Sequence, residues 1–243
     1  MIAIISIVLL VIITIIVVYY FFFRRSTRLI SNGFLINKID SASSSITPNN
    51  TIIVPKVNNS FTIQFGLYIE NFYMNHLRWK HIFHKGTQKT NLYDFKYWYN
   101  IESELPKQCI GVWLHPDKPK MRIAISTLLT YNHEVGEHPE ADQIKKNLRP
   151  NEYKEIVETC DIDDIQPKTR DIYTIVVEGQ TLSIYRNGKL VKTCGLNGEV
   201  LLNMGDMYFN YHKTYSGHLH NFLYIPKSFK PKKVVELYNA YKN

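Results

Sequence analysis

Phe61-Thr62-Ile63-Gln64-Phe65-Gly66-Leu67-Tyr68-Ile69 is the stretch that decides the fold. Phe61, Ile63, Phe65, Leu67 and Ile69 alternate with Thr62, Gln64, Gly66 and Tyr68. Successive side chains of a strand point to opposite faces, so this period of two makes one long strand with a single buried face. Outward from it, residues 79–84, 110–114, 121–126, 172–177, 182–186, 189–194, 207–211 and 218–225 read as further strands. Asn187-Gly188 lies between two of them. Asn-Gly takes the positive φ angles of a type I′ turn readily, so 182–194 is a hairpin. Many short strands joined by turns predict an all-β antiparallel sandwich of the jelly-roll type.

Two segments depart from this pattern. Residues 127–171 are polar and charged, with Pro139, Pro150 and Pro167, and read as an irregular insert with a short helix at 151–158. Residues 231–241 read as a C-terminal helix. Pro231 suits its first turn, and Val234, Leu237, Tyr238 and Tyr241 form one apolar stripe.

The N-terminal residues 1–25 have a different character. Between Ile2 and Phe23 there is no charge, and Arg24-Arg25 follow directly. Roughly 22 helical residues span about 33 Å, enough for a hydrocarbon core of ~30 Å. Tyr19 to Phe23 supply interfacial rings, and the arginines reach the headgroups. The run is too long for a cleaved signal and has no small-residue cleavage site, so it reads as an uncleaved transmembrane anchor. Residues 26–56 read as a flexible polar stalk, and the β domain is expected over 57–243. Arg24, Arg25 and Arg28 follow the helix while only the α-amino group precedes it, which predicts a cytosolic domain. The acceptor tripeptides at Asn49 and Asn58 point the other way.

The net charge of +8 is carried by scattered residues. Nucleic-acid binding would need a dense basic stripe or a known motif, and neither is present. Cys109, Cys160 and Cys194 make an odd count. At least one thiol is free or pairs between chains; spacing does not choose a bridge, and the count agrees with reduced thiols in the cytosol.

Taken in order, several stretches carry a family resemblance. These are Phe61 to Ile69, Trp79-Lys-His-Ile-Phe-His-Lys-Gly86, Gly111-Val-Trp-Leu-His-Pro116, Met121 to Thr127, Leu182-Ser-Ile-Tyr-Arg-Asn-Gly-Lys-Leu190 and Ser216-Gly-His-Leu-His-Asn-Phe-Leu-Tyr224. Together they resemble the laminin G-like members of the concanavalin A-like lectin/glucanase superfamily, over about residues 57–243. The family usually has a Trp where this chain has Lys168-Thr169-Arg170-Asp171. With the anchor, the phrasing also resembles membrane proteins of large DNA viruses. The resemblance implies a lectin-like module that recognises a glycan or protein ligand through its loops, in a virion membrane acting in attachment or entry. The alternative is an assembly protein joining a membrane to a capsid or other virion proteins.

The candidate ligand contacts are exposed rings: Tyr97 and Trp98 in one loop, and Tyr208, Tyr211 and Tyr215 near the other end. The resemblance also implies calcium at the sandwich rim. Asp206, Asn203 and Asn210 are the candidate donors, with turn capping as the other reading. His218 and His220 alternate on one strand near His212, either as metal ligands or as rings packed on the sheet. His133 and His138 are five apart, not the four that a zinc-protease helix needs. Superfamily hydrolases place two carboxylates on alternate residues of a strand. Asp161-Ile162-Asp163-Asp164 lacks their glutamates, so a non-enzyme is expected and a glycoside hydrolase is the distant alternative.

Overall fold

The structure is a computed structural model, and it describes residues 11–14, 34–40, 45–47, 59–86, 107–130, 144, 146–150, 152–210 and 213–242. The strands are β1 (Phe34–Asp40), β2 (Ser45–Thr47), β3 (Phe61–Asn71), β4 (Lys80–Gly86), β5 (Gln108–Leu114), β6 (Met121–Thr130) and β7 (Tyr153–Ile162). They continue as β8 (Arg170–Glu178), β9 (Thr181–Arg186), β10 (Lys189–Gly195), β11 (Glu199–Val200), β12 (Asp206–Phe209) and β13 (Ser216–Ile225), followed by the helix α1 (Pro231–Lys242). They form two antiparallel sheets. The first runs β1-β13-β3-β8-β9-β10 and the second β11-β6-β5-β4-β12-β2, with β7 paired to β6 as well. Because β5 and β11 share one side of β6, β7 takes the other and forms an edge.

The alternation of β3 places Phe61, Ile63, Phe65, Leu67 and Ile69 in the space between the sheets. Phe65 meets Phe83 of the second sheet at 5.0 Å, edge to face, and Phe83 meets Phe222 of the first at 5.0 Å. Crossed rings of this kind add about 0.5–1.5 kcal/mol each beyond the area they bury. The other face of the first sheet is covered by α1. Val234 and Leu237 pack there on Val176, Tyr185, Leu223 and Ile225, as the apolar stripe predicts. Asn187 and Gly188 take φ of 52° and 76°, the hairpin geometry expected of them.

All eight downstream strands read from the sequence are present, with ends shifted by a few residues. Three expectations are corrected. The segment taken as a stalk supplies two edge strands: β1 pairs with β13, and β2 with β12. The short helix at 151–158 is instead the strand β7, paired with β6 along its whole length. The insert is therefore not irregular throughout. Alternation was hidden in β7 because its inward row, Ile156, Glu158, Cys160 and Ile162, contains a carboxylate.

Residues 11–14 are helical. The rest of the apolar run, with Ile2, Phe23, Arg24 and Arg25, lies outside the described residues. Among the described residues no helix is long and apolar enough to cross a membrane. A chain beginning at residue 26 keeps every strand and should melt at the same temperature as the full chain. One beginning at residue 57 lacks β1 and β2, uncovers the backbones of β13 and β12, and should melt several degrees lower. Equal midpoints for the two truncations, by circular dichroism, would show that β1 and β2 add nothing.

Candidate functional site

With α1 on the first sheet, the outward face of the second sheet is the one rich in polar and aromatic groups. Its pattern begins in β4. On a regular strand His81 and His84, three residues apart, would face opposite ways. A register shift between His81 and Phe83 removes that alternation and brings both rings to one face. His81 Nε2 and His84 Nδ1 are 2.8 Å apart, so one donates a proton that the other accepts. The His81 ring stands edge-on to Trp113 at 4.6 Å, and His84 stacks on Tyr208 at 4.8 Å. Trp113 Nε1 donates to Gln108 Oε1 at 3.0 Å. Gly111 lies beneath that bond, where a Cβ would collide with the Gln108 amide oxygen and crowd the indole nitrogen. All four rings are buried, Trp113 and the two histidines to within 1%.

The same face opens toward solvent at its β6–β7 corner. Arg122 Nε and Nη2 donate to the two oxygens of Asp161, both at 2.7 Å, a planar fork on paired positions of the two strands. The guanidinium carbon lies 4.8 Å from the Trp79 ring centre, and Trp79 meets the His115 ring at 5.1 Å. The Arg122 and Asp161 side chains keep 15% and 18% of their surface exposed. Burial, aided by Lys118, Arg122 and Lys120 and opposed by Asp117, holds the His115 imidazole below its ordinary value. His115 Nδ1 lies 2.7 Å from Asp117 Oδ1 and 3.2 Å from the Asp117 and Lys118 amides. This corner thus sets the part-exposed His115 ring beside coplanar donors and acceptors, over a buried indole, a combination that can hold a polyhydroxylated ligand.

β4 also carries two buried lysines, Lys80 and Lys85. Lys80 Nζ donates to the His115 and Pro116 carbonyls at 3.2 and 2.8 Å. Lys85 Nζ donates to the Asn203 and Gly205 carbonyls at 2.5 and 2.8 Å. The expectation of calcium at Asn203, Asp206 and Asn210 is corrected by this arrangement. The rim carbonyls already hold a cation, the Lys85 ammonium, with Asp206 as its nearby countercharge. Asn203 turns its own Oδ1 back to the Gly205 amide at 2.6 Å, and Asn210 is a fully buried turn residue with φ of 42°.

Burial holds both lysines at about 8, against 10.5 in the unfolded chain; Asp117 partly offsets this for Lys80, and Cys109 and Asp206 for Lys85. Between those values the unfolded state binds more protons, so stability rises with pH. Burial pushes the Cys109 thiol up to about 12, despite Lys85, and that group lowers stability above pH 9. The urea midpoint is therefore expected to climb between pH 8 and 9. Lys85→Met should shrink that climb, and an unchanged slope would show that Lys85 is charged as readily in the fold as outside it.

The exposed-ring expectation is corrected at Tyr208 and Tyr215. Tyr215 is fully buried in the core and Tyr208 is 6% exposed under His84, so neither presents a ring to solvent. Tyr97, Trp98 and Tyr211 lie outside the described residues, as do His133, His138 and His212. His218 stacks on Tyr68 at 5.0 Å and His220 lies 5.8 Å from Tyr241, on the outer face of the first sheet. Among the described residues no group of three or more His, Cys, Asp or Glu is placed to hold a metal ion. Asp161 is held by Arg122, and Asp163 by Lys120 at 3.1 Å.

No protein-family model matches the chain, and no curated protein matches it in sequence. Solved structures do match in shape. The binding domain of botulinum neurotoxin serotype D is 12% identical with a TM-score of 0.50, over 86% of this chain and 42% of that one. The binding domain of Paraclostridial Mosquitocidal Protein 1 is 14% identical with a TM-score of 0.50, over 87% of this chain and 46% of that one. The likeness is one of fold. The chain spans less than half the length of either structure. These β-rich sandwich neighbours agree with the sandwich expected from the sequence.

Proposed function

We propose that this chain is a membrane-anchored, non-enzymatic, lectin-like module that binds a glycan at the outer face of its second sheet. The observation that carries this reading is the Arg122–Asp161 fork under Trp79 and beside His115. Sugar hydroxyls are recognised by paired donors and acceptors, and sugar rings by aromatic surface. The deeper His81–His84–Trp113–Tyr208 cluster is the rigid floor that fixes this corner. The neighbours in shape are themselves binding domains, which favours a binding role over a catalytic one. A glycosidase needs two carboxylates free to act as acid and nucleophile, and Asp161 and Asp163 are each engaged by a cation. The Cys160–Cys194 bond and the acceptor tripeptides at Asn49 and Asn58 favour a domain facing an oxidising compartment, against the charges of Arg24, Arg25 and Arg28.

The test is to extract the full chain in mild detergent and identify what it retains by native mass spectrometry. A carbohydrate adduct on the wild type, lost in an Arg122→Gln, Asp161→Asn double variant, is the expected result. The same adduct on both proteins, or none on the wild type, would count against this face.

A further inference from the structure

The loop between β3 and β4 breaks the usual rule for a connection. Tyr73, Met74 and Leu77 are exposed by 67%, 39% and 71%. Three large apolar side chains on one short turn is an uncommon concentration for a surface loop. The turn is also pinned in place. Asn75 Nδ2 donates to the Thr214 carbonyl at 2.9 Å, the Arg78 amide to the Asn75 carbonyl at 3.1 Å, and the Tyr73 amide to Asn71 Oδ1 at 2.9 Å. Phe72, at its base, is buried and meets the Tyr73 ring at 6.1 Å. Leu77 has φ of 67°, a left-handed conformation that bulky side chains rarely adopt. The fold holds these side chains outward; they are not left over from an unfilled core.

Two further features say what the loop meets. From Asn71 to Trp79 there is no carboxylate, while Arg78, Lys118, Lys168, Arg170 and Lys213 are exposed on it and on the segments beside it at that end of the sandwich. The exposed acids there are Glu70, Asp117, Asp163 and Asp164; Glu70 accepts from Ser216, Asp117 faces His115 and Asp163 is paired with Lys120, so the five exposed cations outnumber them. Three protruding side chains offer roughly a few hundred Å², well under the ~800 Å² per partner of a standard protein interface. An apolar tip flanked by more cations than acids suits an anionic bilayer, where the tip enters the acyl boundary and the cations meet the headgroups.

We infer that the β3–β4 loop inserts Tyr73, Met74 and Leu77 into an anionic lipid surface. The placement of β1 adds a direction. Phe34 pairs with Tyr224, which pairs with Ile63, whereas Asp40 pairs with His218, which pairs with Tyr68. β1 therefore begins at the end of the sheet remote from the loop, about 25 Å away at strand rise. With the N-terminal anchor proposed above holding the chain in one membrane, the loop faces an opposing one.

The experiment holds the full chain in phosphatidylcholine nanodiscs and mixes it with larger vesicles of phosphatidylcholine, with or without about 30% phosphatidylserine. The expected result is flotation with the phosphatidylserine vesicles only, reduced roughly tenfold by Tyr73→Ser, Met74→Ser, Leu77→Ser. A Tyr73→Trp variant reports independently, because its emission should shift to the blue as the ring leaves water. Equal flotation of the triple variant and wild type, or no blue shift, overturns the inference. Failure of the chain to enter nanodiscs would instead count against the anchor; the blue shift is then read on the detergent-free full chain, and its absence still overturns the loop.

Discussion

Glu158→Ala should lower the unfolding free energy by about 3–5 kcal/mol, one of the largest effects of any single substitution in this chain. Glu158 is 4% exposed on the inward row of β7. Its carboxylate accepts from Thr127 Oγ1 at 2.6 Å, the Asn197 amide at 2.8 Å, Asn197 Nδ2 at 2.7 Å and the Gly198 amide at 3.0 Å. These donors come from β6 and from the turn between β10 and β11, so one side chain ties three parts of the sandwich. Truncation strands all of them in a dry setting, each at a cost of about 1–3 kcal/mol before relaxation. Glu158→Gln keeps acceptor capacity and should fall between the wild type and the alanine variant. A urea-denaturation loss below about 1 kcal/mol for Glu158→Ala would mean that water replaces the carboxylate freely.

Breaking the Cys160–Cys194 bond should cost about as much. Cys160 lies on β7, the edge of the second sheet, and Cys194 on β10, the edge of the first, 34 positions further along the chain. The bond staples the two layers at an open side. A closed loop of that length restricts the unfolded chain by about 4 kcal/mol in the chain-entropy account. Cys160→Ser, Cys194→Ser should therefore melt well below the wild type, and a reductant should bring the wild type toward the variant. Thiol titration of the unfolded native protein should find one thiol, the buried Cys109. Three thiols would place the domain in a reducing compartment and restore the cytosolic orientation that the flanking arginines predict.

What the sequence revealed follows from which side chains obeyed a period. β3 is legible because its inward row is wholly apolar, and the 182–194 hairpin because Asn-Gly fits one turn type. β7 is not, because Glu158 interrupts its apolar row for the sake of a polar junction. β1 and β2 are edge strands, paired along one side only; β1 opens on three consecutive apolar residues, Phe34 to Ile36, and β2 is three residues long, so no alternation marks them. The candidate site is hidden for a different reason. A bulge in β4 puts His81 and His84 on one face, and sequence spacing assigns them to two. The Arg122–Asp161 fork depends on the pairing of β6 with β7, a strand read as insert. Lys85 shows no sign in the sequence that it does the work of a rim cation, because the carbonyls it holds lie 118 and 120 residues away.

The measurement that bears most directly on the central claim is glycan-array binding of the full chain in parallel with two variants. One carries Arg122→Gln with Asp161→Asn at the second-sheet corner, and the other carries Tyr73→Ser, Met74→Ser and Leu77→Ser at the loop tip. The account predicts that the wild type and the loop variant select the same carbohydrate, and that the corner variant loses at least roughly tenfold in apparent affinity, the equivalent of about 1.4 kcal/mol. Undiminished binding by the corner variant, or no carbohydrate selected by the wild type, would contradict it.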